Sequence, residues 1–174
     1  MKKSTKTLLL TYLAASTAGV LLHFLHQWFP NPIFALISPV RESVWEHVKL
    51  LYFPMLGAAL FLGRGKGGLG RAPWLLSQIA VCAVMLGSGY LYHVVFRGEA
   101  MAVDLLLFFV PLALGFLMPR ALWPLCEWPG TERWAWVLSS LLGALIVCFT
   151  FFPPKAALFA DLSEGLRTFL TIPV

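Results

Sequence analysis

Five stretches of this chain, 7–29, 40–62, 74–96, 101–120 and 134–152, are almost continuously apolar and are separated by short polar gaps. A helix rises 1.5 Å per residue, so crossing a hydrocarbon core of about 30 Å takes about twenty apolar residues. Each stretch reaches that length, and the pattern predicts an all-α bundle of five transmembrane spans in a single domain, 1–174. The gaps hold the helix breakers: Pro30-Asn31-Pro32, the glycine-rich run Gly63 to Arg71, Arg97-Gly98-Glu99, and a segment with Glu127, Pro129, Gly130 and Glu132. Beyond Pro153-Pro154 the tail is mixed, with Ala156 to Ala160 apolar but Asp161, Glu164 and Arg167 breaking the run. It reads as an interfacial or re-entrant segment. Gly19, Gly57, Gly87, Gly89, Gly115 and Gly143 are expected to let the helices approach closely.

Composition points the same way. Of 174 residues, 59% are hydrophobic and 12% charged, where a soluble domain carries about 25% charged residues. An ordinary soluble domain, a disordered chain, a disulfide scaffold and a nucleic-acid module are all excluded, and the partner is the lipid bilayer. The net charge of +5 comes from basic residues beside the spans. Lys2, Lys3, Lys6, Arg64, Lys66, Arg71, Arg120 and Arg133 fall on one side, against Arg97, Lys155 and Arg167 on the other. Counting Arg41 and Lys49 on the second side narrows the margin without reversing it. The positive-inside rule then places the N-terminus in the cytoplasm and the C-terminus outside. Trp28, Trp45, Trp74, Trp123 and Trp134 lie near the expected span ends, as an aromatic belt requires. Lys2 to Ala18 imitates a signal peptide, but the apolar run continues to Phe29, which favours a retained first span. Cys82, Cys126 and Cys148 form no Cys-x-x-Cys pair and read as apolar filler.

Ionisable groups inside a span are costly unless paired or hydrated, and here they gather at the outer ends. His23, His26 and Gln27 close the first span; Arg41, Glu42, Ser43, Glu46, His47 and Lys49 open the second. Tyr90, Tyr92 and His93 end the third, Asp104 opens the fourth, and Asp161 follows the fifth. One shared polar pocket is expected, with His23, His26, Glu42, Ser43, Glu46, His47, Lys49, Tyr92, His93, Asp104 and Asp161 as ligand-binding candidates. In a helix, Glu42 and Glu46 stack on one face, where two carboxylates repel unless a cation, a shared proton or a metal intervenes. Lys49 joins that face three residues beyond Glu46. Buried ion pairs that fix packing compete with ligand, ion or proton handling for this stretch.

His23, Glu46, His47 and Asp104 together offer the nitrogen and oxygen ligands of a divalent, zinc-like ion. The spacing matches no metal signature such as His-Glu-x-x-His, and hydrogen-bonded interfacial histidines are the plainer reading. The glycine-rich run lacks the Gly-Lys-Ser/Thr ending of a phosphate loop, and Gly87-Ser88-Gly89 lacks the spacing of a serine nucleophile.

Residues 39–54, Pro-Val-Arg-Glu-Ser-Val-Trp-Glu-His-Val-Lys-Leu-Leu-Tyr-Phe-Pro, resemble the signature of domain-of-unknown-function family 6512, small multi-span bacterial membrane proteins. The resemblance extends to His23, to the Tyr92 and Asp104 region, and to Phe152-Pro153-Pro154 with Leu158-Phe159 and Asp161. The family pattern has asparagine where this chain has Arg41, which offers Glu42 a local cation instead. The resemblance implies an architecture, a bacterial inner-membrane location and a set of positions, and it implies nothing about a reaction.

Three classes of function stay open. A small solute, ion or proton is bound or passed by Glu42, Glu46, His47 and Asp104, five spans being few for a complete carrier but enough for a homodimeric one. Alternatively the pocket is an enzyme site for a lipid or isoprenoid head group, with Glu42, Glu46 and His47 as catalytic candidates and a metal in support. Third, the polar cluster pairs with a partner membrane subunit in a structural assembly.

Overall fold

A computed structural model describes residues 4–64 and 70–163. Lys2, Lys3, Lys66, Glu164, Arg167 and the tail beyond 163 lie outside the described residues. The chain is all-helical, with no strand among the described residues. Its helices are α1 (Thr5–Trp28), α2 (Pro32–Ala35), α3 (Val44–His47), α4 (Lys49–Leu62), α5 (Ala72–Gly89), α6 (Met101–Leu122) and α7 (Thr131–Phe151). A π-helical turn, Tyr90–Val95, prolongs α5. One 3-10 turn, Trp123–Glu127, prolongs α6, and another, Ala157–Phe159, follows α7.

Among the described residues, four helices are long and apolar enough to cross a membrane: Thr5–Trp28, Ala72–Val95, Met101–Glu127 and Thr131–Phe151. The expected span 40–62 is the exception. Its first residues form a bend, α3 starts only after Ser43, and the helix is interrupted at Val48, so α4 has 14 residues. Ser43 sets that start, because its side chain accepts a hydrogen bond from the Glu46 amide.

α4 lies inside the bundle, packed by α1, α5 and α6, with Leu51, Met55, Ala59 and Leu62 fully buried. Lipid tails are as apolar as leucine, so helices associate by close packing and interhelical hydrogen bonds. Pro54 lacks an N–H and releases the Leu50 carbonyl. α1 passes that oxygen at Gly19, where a Cβ would stand 2.9 Å away. Gly89, Gly115 and Gly143 also abut neighbours, whereas Gly57 and Gly87 face open space, contrary to their expected packing role. Deeper in the bundle, Gln78 donates to the Tyr52 carbonyl (2.8 Å), Ser139 donates to Gln78 (2.8 Å), and the Tyr52 hydroxyl donates to the Ser139 carbonyl (2.9 Å). This ring ties α4, α5 and α7 together.

The aromatic belt is partial. Trp28, Trp123 and Trp134 are exposed, but Trp45 and Trp74 are buried. Trp74 meets Phe116 edge-on, and Trp45 is held between Phe149 and Phe159. Each does core packing because α3 and the start of α5 turn inward.

Candidate functional site

Two polar systems share the end of the bundle where α1 finishes and α6 begins. The first is closed. Lys49 has no exposed surface, and its ammonium donates to the Ala35 carbonyl (2.7 Å), the Ser38 carbonyl (3.0 Å) and Glu46 Oε2 (2.8 Å). Glu46 also accepts from the Val40 amide (3.0 Å) and from the Thr150 hydroxyl (3.0 Å). Ser38 donates to the Leu22 carbonyl and accepts from the His26 amide (3.0 Å). The network therefore pins the 30–43 connector between α1, α3 and α7. Lys49 has used all three of its donors, and Glu46, buried and held by three contacts, is closed off from the cavity.

The second system lines a cavity of about 530 Å³ between α1, α3, the end of α5 and α6. His23, Glu42, His47, His93, Glu99 and Asp104 are its polar lining. His47 Nδ1 lies 2.7 Å from the Ser43 carbonyl, which can only accept, so that nitrogen carries the hydrogen and Nε2 faces Glu42 Oε2 at 3.3 Å. His93 repeats the arrangement, with Nδ1 against the Gly98 carbonyl (3.0 Å) and Nε2 at 3.1 Å from Asp104 Oδ1. The hydrogen bond from His47 holds the Glu42 carboxyl below its usual range, against the opposing effect of burial. Such paired backbone and carboxylate contacts fix the ring orientation of a histidine.

Local backbone explains these positions. Ser43 begins α3, so Glu42 stands before the helix and turns to His47, while Glu46 turns the other way to Lys49. The expected stacking of Glu42 on Glu46 is thereby corrected, and Glu42 takes His47, not Arg41, as its cation partner. The π-helical turn re-aims His93 at α6, a common use of such turns. The Tyr92 hydroxyl accepts from the Ala100 amide (2.9 Å), and its ring lies over Gly98, where a Cβ would collide with it. The Leu162 amide donates to the Glu42 carbonyl (2.7 Å), which brings the tail over the cavity.

The structure brings His23, Glu42, His47, His93 and Asp104 to one cavity. His26, Ser43, Glu46, Lys49, Tyr92 and Asp161 are not part of its lining. Ser43 is a helix cap, Tyr92 shapes a turn, and Asp161 accepts from Ser163 in the tail. The expected metal set of His23, Glu46, His47 and Asp104 is not assembled: Glu46 is consumed by Lys49 and Thr150, and Asp104 pairs with His93. Glu42 takes their place, its ligand oxygen lying with ligand atoms of His23 and His47 within 4.8 Å of one another. Glu99 and Leu162 also line the cavity unforeseen. Glu99 sits five residues before Asp104, in the short gap 97–99 just ahead of the stretch that carries it, a signal the sequence did carry.

Residues 1–168 match DUF6512, a family of unknown function. The chain belongs to that family. No curated protein and no solved structure matches it. For this DUF6512 member the argument about function therefore rests on the cavity itself.

Proposed function

We propose that this DUF6512 protein binds an amphiphile, with its polar head on the histidine and carboxylate groups and its tail along the apolar wall. The observation that carries this reading is the layering of one cavity. On α1, Gly19 and Val20 lie one turn before His23; on α5, Met85 and Gly89 precede His93; on α6, Phe108 lies one turn after Asp104. Each helix thus sets its ionisable residue toward the bundle end and apolar residues one turn deeper. The volume, about 530 Å³, suits a small lipid-like ligand. Leu50, Met85 and Phe108 line its deeper part, which favours holding a ligand over passing an ion or proton onward.

The placement follows the basic residues. Reading α3 and α4 together as a fifth, central span gives residues 44–62 a length of roughly 28 Å. The N-terminus is then cytoplasmic, and the cavity opens at the extracytoplasmic side of a bacterial inner membrane.

Native mass spectrometry of the protein extracted from membranes tests the reading. One tightly held amphiphile per chain is expected, and Leu105→Trp, which narrows the wall, should release it while leaving the protein folded. Retention no greater than that of bulk lipid, or retention unaffected by Leu105→Trp, overturns it.

A further inference from the structure

We infer that His23, Glu42 and His47 form a site for one divalent transition-metal ion of the zinc class, placed where it meets the ligand head group. The head-group role rests on the amphiphile reading; the metal site does not. Two histidines and one carboxylate are a donor set that leaves the fourth tetrahedral position of zinc free, and all three residues line the cavity.

Four observations converge on this site. Zinc–nitrogen and zinc–oxygen bonds of about 2.0–2.1 Å give a tetrahedral edge of about 3.3 Å, and His47 Nε2 already lies 3.3 Å from Glu42 Oε2. All three ligand atoms lie within 4.8 Å of one another, and the Glu42 side chain, 41% exposed, has room to turn toward the two imidazoles. His47 Nδ1 is bound to the Ser43 carbonyl at 2.7 Å, which is the outer contact that orients a metal-bound imidazole and frees its other nitrogen. Finally, His23 Nδ1 is buried without a hydrogen-bond partner, and an unsatisfied buried polar atom costs about 1–3 kcal/mol. A cation bound at that nitrogen would supply the partner it lacks. The two other titratable pairs nearby do not compete, since His93 is engaged with Asp104 and Glu46 with Lys49.

Two neutral imidazoles and one carboxylate carry a single negative charge, so a bound dication leaves the site net positive. Its open position then attracts an anionic or strongly polarised oxygen, the chemistry of a phosphate or carboxylate head.

The test uses the full-length protein in detergent, dialysed against chelator and then titrated with cobalt(II) or zinc(II). Tetrahedral cobalt bands in the visible spectrum and one metal per chain are expected. His23→Gln, Glu42→Gln and His47→Gln should each weaken binding by more than the roughly 10- to 100-fold that outer contacts cost, while His26→Gln, outside the cavity lining, keeps the metal. No bands and no retained metal in the unaltered protein would overturn the site, leaving a histidine–carboxylate ion pair only. Lipid retention read on the same samples separates the two ideas. Amphiphile held without metal removes the metal site alone, and metal held without amphiphile removes the ligand reading alone.

Discussion

Lys49 is a fully buried ammonium among carbonyls and one carboxylate. Removing one member of such a pair strands the other charge, at about 3–5 kcal/mol, whereas replacing both with apolar groups costs far less. Lys49→Met and Glu46→Leu should therefore each lower thermal stability in detergent sharply, and the double variant Lys49→Met with Glu46→Leu should lose less than the two single changes summed. Strict additivity would show that the pair is not a structural clamp. The spacing of Glu46 and Lys49 made the pair legible, but Thr150, 104 residues away, was not, since nothing in a sequence reports which hydroxyl a folded carboxylate will meet. Glu42 shows the opposite failure. The expected helix would have put it beside Glu46, yet the cap at Ser43 starts α3 one residue too late, and that single offset sends the two carboxylates to different networks.

Glycines separate into two kinds once the helices are in place. At Gly143 an added Cβ would collide with the Tyr52 hydroxyl, so Gly143→Ala should break the Tyr52–Ser139 hydrogen bond and cost about 1–3 kcal/mol. Gly57 meets nothing within 4 Å, and Gly57→Ala should instead stabilise α4 by about 0.5–1 kcal/mol. Thermal unfolding of both variants in one detergent decides the matter, and equal effects would remove the packing argument. Hydropathy gave the four long helices to within a few residues, because length and apolarity are local properties. It missed the broken second segment, where a polar cluster replaces the first turns of a span, and it missed the π-helical turn that aims His93. The apolar half of the cavity was also illegible: nothing in the sequence sets Val20, Leu105 and Phe108, which line it, apart from the apolar residues around them.

For the whole molecule, the proposed orientation makes the sharpest demand, because the cavity serves an extracytoplasmic ligand only if that end of the bundle faces outward. Arg64 follows α4 and Lys155 follows α7, and both are exposed. If α4 runs outside to inside and α7 inside to outside, the two residues lie on opposite sides of the bilayer, with Lys155 on the same side as Glu42 and Asp104. Cys126 and Cys148 are at least partly exposed and Cys82 is buried, so a background with Cys126→Ser and Cys148→Ser gives a low baseline for thiol labelling. In intact spheroplasts, Lys155→Cys should react with a membrane-impermeant maleimide, and Arg64→Cys should react only after the membrane is opened. The reverse pattern would invert the bundle and place the cavity in the cytoplasmic leaflet, which overturns the extracytoplasmic assignment while leaving the pocket's internal geometry unchanged. Because α5, α6 and α7 separate the two residues, labelling of both from the same side would instead mean that one of these three helices does not cross the bilayer.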